Sequence, residues 1–388
     1  MAVTSSVGNN RFLKGRESAF FVMSKNQVSL SIGGKNYYGW LSVSVIVALQ
    51  SIARSFSVSL TSKSSPYSSG AAKIRVGDDV ELSIGGDLVL SGYVTNVDES
   101  YSGSTNQINI KGYSKTVDLI DCSVPDGKPL SYKKQTPIQI VSDMASHYGI
   151  GLEVKALKSD AVDFDISPEE KIKEALDRLI KKYSLLLTDN ENGKLVLTQI
   201  GAGGICHDKI QLGANILSGK RSLDGKNLFS RYVLLGQGAN PLSERPVTDN
   251  HLKAVSVDSD VRHRVKTIVQ TGDASAAGLQ SRVNVVMQQS RAQAETLSYK
   301  VRGWRQSNGE LWPINAFVLV DDDKLGIRRE LLIAGVNYSL DDKGMVTTID
   351  LKMPEEFSIV DAPTAEAAIK TFALNKVGAV GKATWTGK

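Results

Sequence analysis

The first quarter of the chain is a succession of short strand patterns separated by glycine turns, and this feature constrains the fold most. Between Gln27 and Ile110 apolar and polar residues alternate in short runs, and the pairs Gly33-Gly34 and Gly85-Gly86 separate neighbouring runs. Alternation with a period of two is typical of half-buried strands, and a glycine pair between two strands predicts a hairpin. We therefore predict an antiparallel barrel or sandwich of about five or six strands.

The middle of the chain has a mixed pattern. Thr136-Pro137 predicts the start of a helix, and apolar residues at helical spacing follow it until Gly149. Ser167-Pro168-Glu169-Glu170 has the spacing of a capping box before a second apolar stripe. The turn Asn192-Gly193 then joins two short strand patterns. These features predict a small α/β domain over residues 116–205.

Strand patterns resume after the glycine-rich segment 201–204, and one long helix pattern interrupts them. Leu279, Val283, Val286 and Met287 lie on one side of that helix, which spans about Ala274 to Glu295. We expect a second β-barrel formed by residues 206–240 and 300–358. Residues 241–299 would be an insertion in this barrel with a strand and the long helix.

The predicted fold class is thus α+β and mainly β. It has two similar antiparallel β-barrel domains, residues 23–115 and 206–240 with 300–358, separated by the small α/β domain. Residues 1–22 are polar and are predicted to be a mobile N-terminal arm, unless the true start is Met23. Residues 359–388 are predicted to be a C-terminal tail.

Two pairs of strand patterns suggest an internal repeat. Leu88–Val94 resembles Leu331–Asn337, and Ser55–Leu60 resembles Ser230–Leu235. The alternative is that any two strand-turn-strand stretches look alike. If the repeat is real, a closed trimer presents six similar units around a ring, and such a ring can join a six-fold partner to a three-fold partner.

Charge and cysteine content exclude some classes of protein. Lys plus Arg is 46 and Asp plus Glu is 41, so the net charge is only +5. The basic cluster Arg262-His263-Arg264 with Lys266 is interpreted as a solvated strand face rather than a phosphate contact.

Cys122 and Cys206 are too far apart for a disulfide framework, which favours folding in a reducing cytoplasm. No apolar run approaches the ~20 residues of a membrane helix, so we expect no stable membrane association.

Several stretches along the chain form a recognisable ordered set. They are Gly92-Tyr93-Val94, residues 111–123 (KGYSKTVDLIDCS), residues 229–237 (FSRYVLLGQ), residues 299–305 (YKVRGWR) and residues 309–315 (GELWPIN). In this order they resemble the Mu-type phage baseplate hub proteins, and the resemblance covers roughly residues 24–358. Mu-type hubs are in turn similar in architecture to T-even phage hubs and to the N-terminal part of type VI secretion spike proteins.

The resemblance implies a structural protein of the virion. It implies a homotrimer that forms a pseudo-six-fold adaptor between the hexameric tail tube, or a tube-initiator protein, and the trimeric central spike. Other baseplate proteins would contact it, and DNA would only pass through its lumen. The location would be the tail baseplate, after assembly in the host cytoplasm. The family carries over no catalytic, cofactor-binding or metal-binding residues, so the chain is expected not to be an enzyme and to need no cofactor.

The residues themselves indicate little catalytic chemistry. The histidines, His147, His207, His251 and His263, lack metal-site spacing, and adjacent Cys206-His207 would face opposite sides of a strand. Gly378–Ala383 imitates a phosphate-binding loop but lacks its spacing and the hydroxyl residue after Lys382. Glu169-Glu170 is interpreted as a helix start and Asp321-Asp322-Asp323 as a turn.

Two alternatives remain open from sequence. One is a tail-associated peptidoglycan hydrolase, which would need two carboxylates across a sugar cleft. The other is a secretion-system spike subunit of the same ancestry, which is less favoured because no β-helical repeat follows before Lys388.

Overall fold

The computed structural model describes residues 25–61, 74–102, 106–155, 160–180, 183, 185–237, 251–273 and 275–357. The predicted N-terminal arm, the alternative start at Met23, the C-terminal tail and the segment 378–383 lie outside these residues. The described chain is mainly β with few helices and one large, largely antiparallel sheet. Among the described residues, the helices are too short or too polar to cross a bilayer.

The elements are numbered in chain order. They are β1 Val28–Ile32, β2 Lys35–Tyr37, β3 Ser42–Ala48, β4 Ser55–Thr61, β5 Asp79–Ile84, β6 Asp87–Tyr101, β7 Asn106–Ser114, α1 Val117–Asp121, β8 Ser131–Gln135, α2 Pro137–Ser146, β9 Leu152–Lys155, β10 Val162–Asp165, α3 Ile172–Ile180, β11 Leu186–Asp189, β12 Leu195–Thr198, β13 Ile210–Gln211, β14 Ile216–Leu223, β15 Arg231–Gln237, β16 His251–Val257, β17 Val265–Asp273, α4 Ala276–Ala294, β18 Glu295–Arg302, β19 Phe317–Asp322, β20 Ile327–Asp341 and β21 Gly344–Lys352.

The large sheet has 13 strands in the order β14-β18-β21-β20-β3-β4-β7-β6-β5-β1-β2, with β19 beside β20 and β13 beside β19. This order contains the same six-strand arrangement twice. The first unit is β3-β4-β7-β6-β5-β1 and the second is β14-β18-β21-β20-β19-β13. The two units differ at their last strand, because β1 runs antiparallel to β5 whereas β13 runs parallel to β19.

Two β-bulges lie at corresponding places in the two units, and they show which residues of one unit are equivalent to which residues of the other. The β6–β7 pairing shifts between Val94 and Asn96, and the β20–β21 pairing shifts between Ile333 and Gly335. Beyond each bulge Val97 lies opposite Ile110, as Val336 lies opposite Ile349. A bulge bends its strand and increases the local twist, so the two long strands turn at equivalent positions.

The structure corrects both sequence likenesses behind the predicted repeat. Leu88–Val94 and Leu331–Asn337 lie in equivalent strands, but the bulges make Leu88 equivalent to Ile327 rather than to Leu331. The counterpart of β4 is β18 and not Ser230–Leu235, since β4 pairs with β7 as β18 pairs with β21. Local alternation is shared by most strands, whereas position in a sheet depends on long-range hydrogen bonds that the pattern does not contain.

The two units share one sheet instead of standing apart on either side of the α/β domain. Strand β3 pairs antiparallel with the second half of β20, from Val43 opposite Leu340 to Ala48 opposite Gly335. In the part of the chain that the structure describes, no backbone pairing closes either unit on itself. A single hydrophobic core accordingly contains residues of both units, such as Val45, Leu82, Trp304 and Ile349.

The α/β part has its own core between helices α1–α3 and short strands. Helix α2 begins as predicted, because the Thr136 hydroxyl accepts from the Gln139 N–H and the Gln139 side chain accepts from the Thr136 N–H. The predicted capping box at Ser167 is only half formed. Glu170 accepts from the Ser167 N–H, but helix α3 starts later, at Ile172. Buried Ile140, Met144 and Leu176 fill the core of this part.

Strands β16, β15 and β17 form a separate three-stranded sheet in that order, with helix α4 on one face. Tyr232, Leu234, Leu279 and Val283 form its buried core. Residues 231–237, expected in the second barrel, pair with β16 and β17 and so lie in this separate sheet.

The close approach of β6 and β7 makes a prediction about stability. A Cβ atom added to Gly92 would lie 1.8 Å from the Tyr113 carbonyl oxygen, so Gly92→Ala forces the two strands apart. We expect a loss of roughly 1–3 kcal/mol in the free energy of unfolding, measured by chemical denaturation. Gly225→Ala is the control, because nothing lies within 4 Å of its added Cβ. Equal stabilities of the two variants would contradict this account of the β6–β7 contact.

Candidate functional site

A buried ion pair joins the first six-strand unit to the α/β part. Arg54, between β3 and β4, donates from its backbone N–H and its Nε to the Asp189 carboxylate at 2.9 and 3.2 Å. Its other guanidinium nitrogens donate to the carbonyl oxygens of Val89 and Asp189 at 2.8 and 3.1 Å. The Asp189 side chain is 1% exposed and the Arg54 side chain 12%. Arg54 thus holds β6 and β11 at once.

The Asp189 carboxylate has a second anchor at the end of β7. The Ser114 hydroxyl donates to Asp189 at 2.5 Å and also contacts the Thr116 hydroxyl at 2.8 Å. Burial raises the pKa of Asp189, and the Arg54 guanidinium with the Ser114 hydroxyl opposes that rise. Removing Arg54 would leave the Asp189 carboxylate buried without an ionic partner, which is costly. Removing Asp189 would leave Arg54 with only the half-exposed Glu191 carboxylate, 3.9 Å away.

Asn315 joins the second unit to the same α/β part. It adopts a left-handed backbone conformation with φ of 58°, which asparagine tolerates better than most residues. Its side-chain amide donates to the Gln199 carbonyl at 2.8 Å and accepts from the Gly201 N–H at 2.8 Å. The linker after β12 is thereby fixed to the loop before β19.

A cavity of about 380 Å³ lies where the three parts meet. Arg54, Asp189, Asn190, Trp312 and Asn315 are among the residues that line it. Its two carboxylates, Asp189 and Glu191, lie 3.2 and 3.9 Å from the Arg54 guanidinium. The charged groups of the cavity are therefore arranged as ion pairs at the junction of the three parts.

The β3–β20 joint is the main contact between the two units. Val45, Val47, Val336 and Tyr338 are all buried there. The Ser44 hydroxyl donates to the Asn337 side chain across the joint at 3.0 Å. The Tyr338 hydroxyl donates to the Trp312 carbonyl at 2.5 Å, and burial raises the pKa of Tyr338.

Two strand edges remain open in the described residues. Strand β5 covers only the first half of β6, so residues 96–101 have no strand partner on that side. Strand β14 is the terminal strand of the sheet and pairs only with β18. Open edges are prone to pair with another chain, and proteins normally cover or protect them.

The residues singled out in the sequence for possible chemistry do not come together. His147 lies 3.6 Å from Asp143 at the end of α2. Burial raises the pKa of Cys206 to about 12, so its thiol stays protonated at neutral pH. Within the described residues, no group of three His, Cys, Asp or Glu side chains could hold a metal ion.

Several of the candidate carboxylates, and Arg264 of the basic cluster, have structural partners. Glu170 pairs with Arg178 at 2.7 Å, and Asp321 pairs with Arg328 at 3.0 Å. Asp322 accepts from the Tyr299 hydroxyl at 3.1 Å. Arg264 donates to the Gly225 carbonyl at 2.7 Å and lies over the Phe229 ring.

Sequence reasoning missed both the junction and the open edges. The Arg54–Asp189 pair spans 135 positions, which no local pattern reveals. Strand β6 also continues to Tyr101, well beyond the Leu88–Val94 pattern.

Comparison with protein-family models finds three matches along the chain. Residues 27–114 match the N-terminal domain of Mu phage baseplate assembly protein GpP-like proteins. Residues 116–199 match the second domain of baseplate hub protein gp44-like proteins, and residues 275–360 match the fourth domain of Mu phage GpP.

Comparison with known proteins finds similarity to phage tail proteins over most of the chain. Baseplate hub protein gp44 of Escherichia phage Mu is 30% identical over 346 residues, which are 86% of this chain and 89% of that protein. The 43 kDa tail protein of prophage MuSo2 from Shewanella oneidensis has a TM-score of 0.76 and 29% identity, covering 86% of this chain and 99% of that one. An Escherichia coli component of the type VI secretion system shares the fold with a TM-score of 0.51 at 13% identity, covering 83% and 76%.

The Arg54–Asp189 junction makes a second prediction about stability. Asp189→Asn leaves the buried Arg54 guanidinium with only the half-exposed Glu191 carboxylate, 3.9 Å away, as a counter-ion. The free energy of unfolding should therefore fall by about 3 kcal/mol. The control is Asp323→Asn, which removes an exposed pair 3.7 Å from Arg328. That change should cost no more than ~1 kcal/mol. Equal losses of the free energy of unfolding for the two variants, measured by urea denaturation, would contradict a stabilising role of the Arg54–Asp189 pair.

Proposed function

This chain belongs to the family of Mu phage baseplate hub proteins, and on that premise we propose that it is a structural hub subunit in the tail baseplate of a contractile phage. The 30% identity to the phage Mu hub over most of both chains supports this role. Its location would be the virion tail, with assembly in the host cytoplasm.

We further propose that three copies form a pseudo-six-fold adaptor, and the repeated six-strand unit is the observation that carries this proposal. Two units per chain give six units per trimer. Six similar units can match a hexameric tail tube or tube-initiator protein, while the three-fold symmetry of the chains matches a trimeric spike. Symmetry matching is thus built into the sequence by duplication.

The two units are proposed to be the two barrel domains of the hub once the ring is assembled. The first barrel domain would be residues 23–115, followed by the α/β domain of residues 116–205. The second would combine residues 206–223 with 295–358. Strand β15 would belong, with β16, β17 and α4, to an insertion within the second barrel domain, because β15 pairs with β16 and β17.

The proposed partners are further copies of this chain, the tail tube or its initiator, the central spike and other baseplate proteins. DNA would only pass through the lumen. The net charge of +5 over 388 residues agrees with a conduit, because a strongly basic surface would retain the passing nucleic acid.

A structural role is favoured over the two rivals. The relative at 30% identity is a phage hub, whereas the likeness to the secretion-system component is one of fold. The two carboxylates that line the central cavity, Asp189 and Glu191, both lie beside Arg54, at 3.2 and 3.9 Å. This arrangement favours ion pairing over an acid and a base that face each other across a sugar.

The adaptor proposal predicts a trimer in solution. Sedimentation velocity of the purified chain at micromolar concentration should give a species of three times the chain mass. Covering the open strand edges of three chains supplies the driving force. A stable monomer under these conditions would contradict the adaptor proposal.

The structural proposal also predicts no cell-wall hydrolysis. Purified protein added to a peptidoglycan suspension should leave its turbidity unchanged, with a known muramidase as the positive control. A fall in turbidity that is faster than in buffer alone, and that is abolished when a carboxylate side chain is substituted, would instead support a hydrolase.

A further inference from the structure

One face of the three-stranded sheet β16-β15-β17 is apolar and exposed. Tyr232, Leu234 and Ile268 belong to the core that this sheet shares with helix α4. Side chains alternate between the two faces of a strand, so their sequence neighbours lie on the opposite face. The exposed apolar side chains of that face are Leu235 at 36%, Val257 at 61%, Val265 at 46% and Val269 at 71%. Contiguous exposed apolar surface is typical of a docking site.

The strand register arranges this apolar face in three cross-strand rows. The first row is Val257-Arg231-Val265, the middle row is Val255-Val233-Thr267 and the last row is Lys253-Leu235-Val269. The first and last rows are separated by about 13 Å along the strands. Arg231 and Lys253 are exposed, and none of the residues in the three rows is acidic. The face thus combines apolar surface with positive charge.

The described chain ends close to this sheet. The 3₁₀ turn Pro354–Phe357 contacts helix α4, and Phe357 is buried. The C-terminal half of α4 lies near the first row of the face, since Arg291 forms an ion pair with Asp258, which directly follows β16. The described chain therefore ends on the α4 side of the sheet, one layer away from the apolar face.

The sequence after Phe357 contains one segment with the pattern of a short amphipathic helix. Ala365, Ile369 and Phe372 recur at helical spacing. Thr364 precedes them as a favoured N-cap residue, and Glu366 would lie in the first helical turn, where a negative charge is favourable. This segment lies outside the described residues and beyond the family matches, the last of which ends at residue 360.

The length of this segment and of the chain before it fits the apolar face. Residues 358–364 can span up to about 23 Å when extended, which is enough to pass round the edge of a single sheet. A helix over residues 365–374 would be about 15 Å long, close to the separation of the first and last rows. The segment can therefore reach the face and cover all three rows.

We propose that residues 365–374 form a helix that docks on the apolar face of the chain's own sheet. Ile369 and Phe372 would cover the exposed valines, and Glu366 at the start of the helix would lie near Arg231 in the first row. A helix this short is marginal in water, so it would fold as it docks. The contact lies within one chain and does not depend on the proposed trimer.

Charge favours this occupant over a second copy of the same face. Face-to-face contact between two copies would bury Arg231 and Lys253 of both copies, and the face itself offers no carboxylate to pair with them. Burying unpaired charges is costly. The proposed helix instead brings Glu366, while Lys370 would lie on its opposite, solvent-facing side.

Thiol accessibility tests whether the segment covers the face. In Val269→Cys the new thiol should react with a maleimide roughly tenfold or more slowly in the full chain than in the same variant ended after Phe357, because undocking must precede reaction. Val76→Cys is the control, since Val76 is 67% exposed on another part of the chain and its rate should be equal in both lengths. Rates of the unsubstituted chains account for Cys122 and Cys206.

Each other outcome of this labelling overturns the proposal. Fast reaction of Val269→Cys in both lengths would show that the face is uncovered. Slow reaction in both lengths would show that a second copy or another molecule covers it instead of the C-terminal segment. Slower reaction in the full chain at Val76→Cys as well would show a general effect of the deletion rather than docking on this face.

Substitutions within the segment give a test that keeps the full chain. Phe372→Asp should raise the labelling rate of Val269→Cys to that of the shortened chain, because it places a charge against the apolar face. The matched control is Lys370→Asp, on the opposite side of the helix, which should leave the rate low. Equal rates for the two variants would contradict docking through the side that carries Phe372.

Disulfide formation shows whether the segment docks on its own chain. Ala373 would lie near the last row, so Ala373→Cys with Val269→Cys should form a disulfide within one chain under mild oxidation. Non-reducing gel electrophoresis should then show a product of single-chain mass with altered mobility. Covalent oligomers would place the segment on a neighbouring copy, and the absence of any cross-link would contradict the proposed direction of the helix.

Discussion

Backbone pairing between β3 and β20 is the contact on which the rest of the architecture depends. It links strands from opposite ends of the chain, so two six-strand units become one sheet over one core. Because hydrogen bonds between strands fix both distance and register, the relation between the units is set much more tightly than by side-chain packing alone. The proposed adaptor role requires that accuracy, because the units would have to be evenly spaced around the ring.

The Arg54–Asp189 pair and Asn315 extend this accuracy to the α/β part. One lies on the first unit and the other on the second, so the α/β part is held from both sides. A buried ion pair is expensive to form and contributes little net stability, but it strongly penalises alternative arrangements that leave a charge alone. Its place at the junction is consistent with a role in fixing the orientation of the parts.

The sequence predicts local structure well where one periodicity dominates. The first strand-rich part, helix α2 with its Thr136 cap and helix α4 are of this kind, because caps and alternation are local properties. Sequence patterns alone did not find the shared sheet, the true counterpart of β4 or the extension of β6 to Tyr101. All three depend on pairing between residues far apart in the chain. The family resemblance carried information that these local patterns lack, and the comparison with the phage Mu hub supports it.

Electron cryomicroscopy of the assembled chain, reconstructed without imposed symmetry, tests the central claim most directly. The account predicts a three-fold ring whose sheet-bearing layer shows six units at nearly equal 60° intervals, since three chains carry six units. A ring in which the two units of each chain lie at clearly different radii or unequal angles would contradict the claim that duplication lets three copies imitate a hexamer.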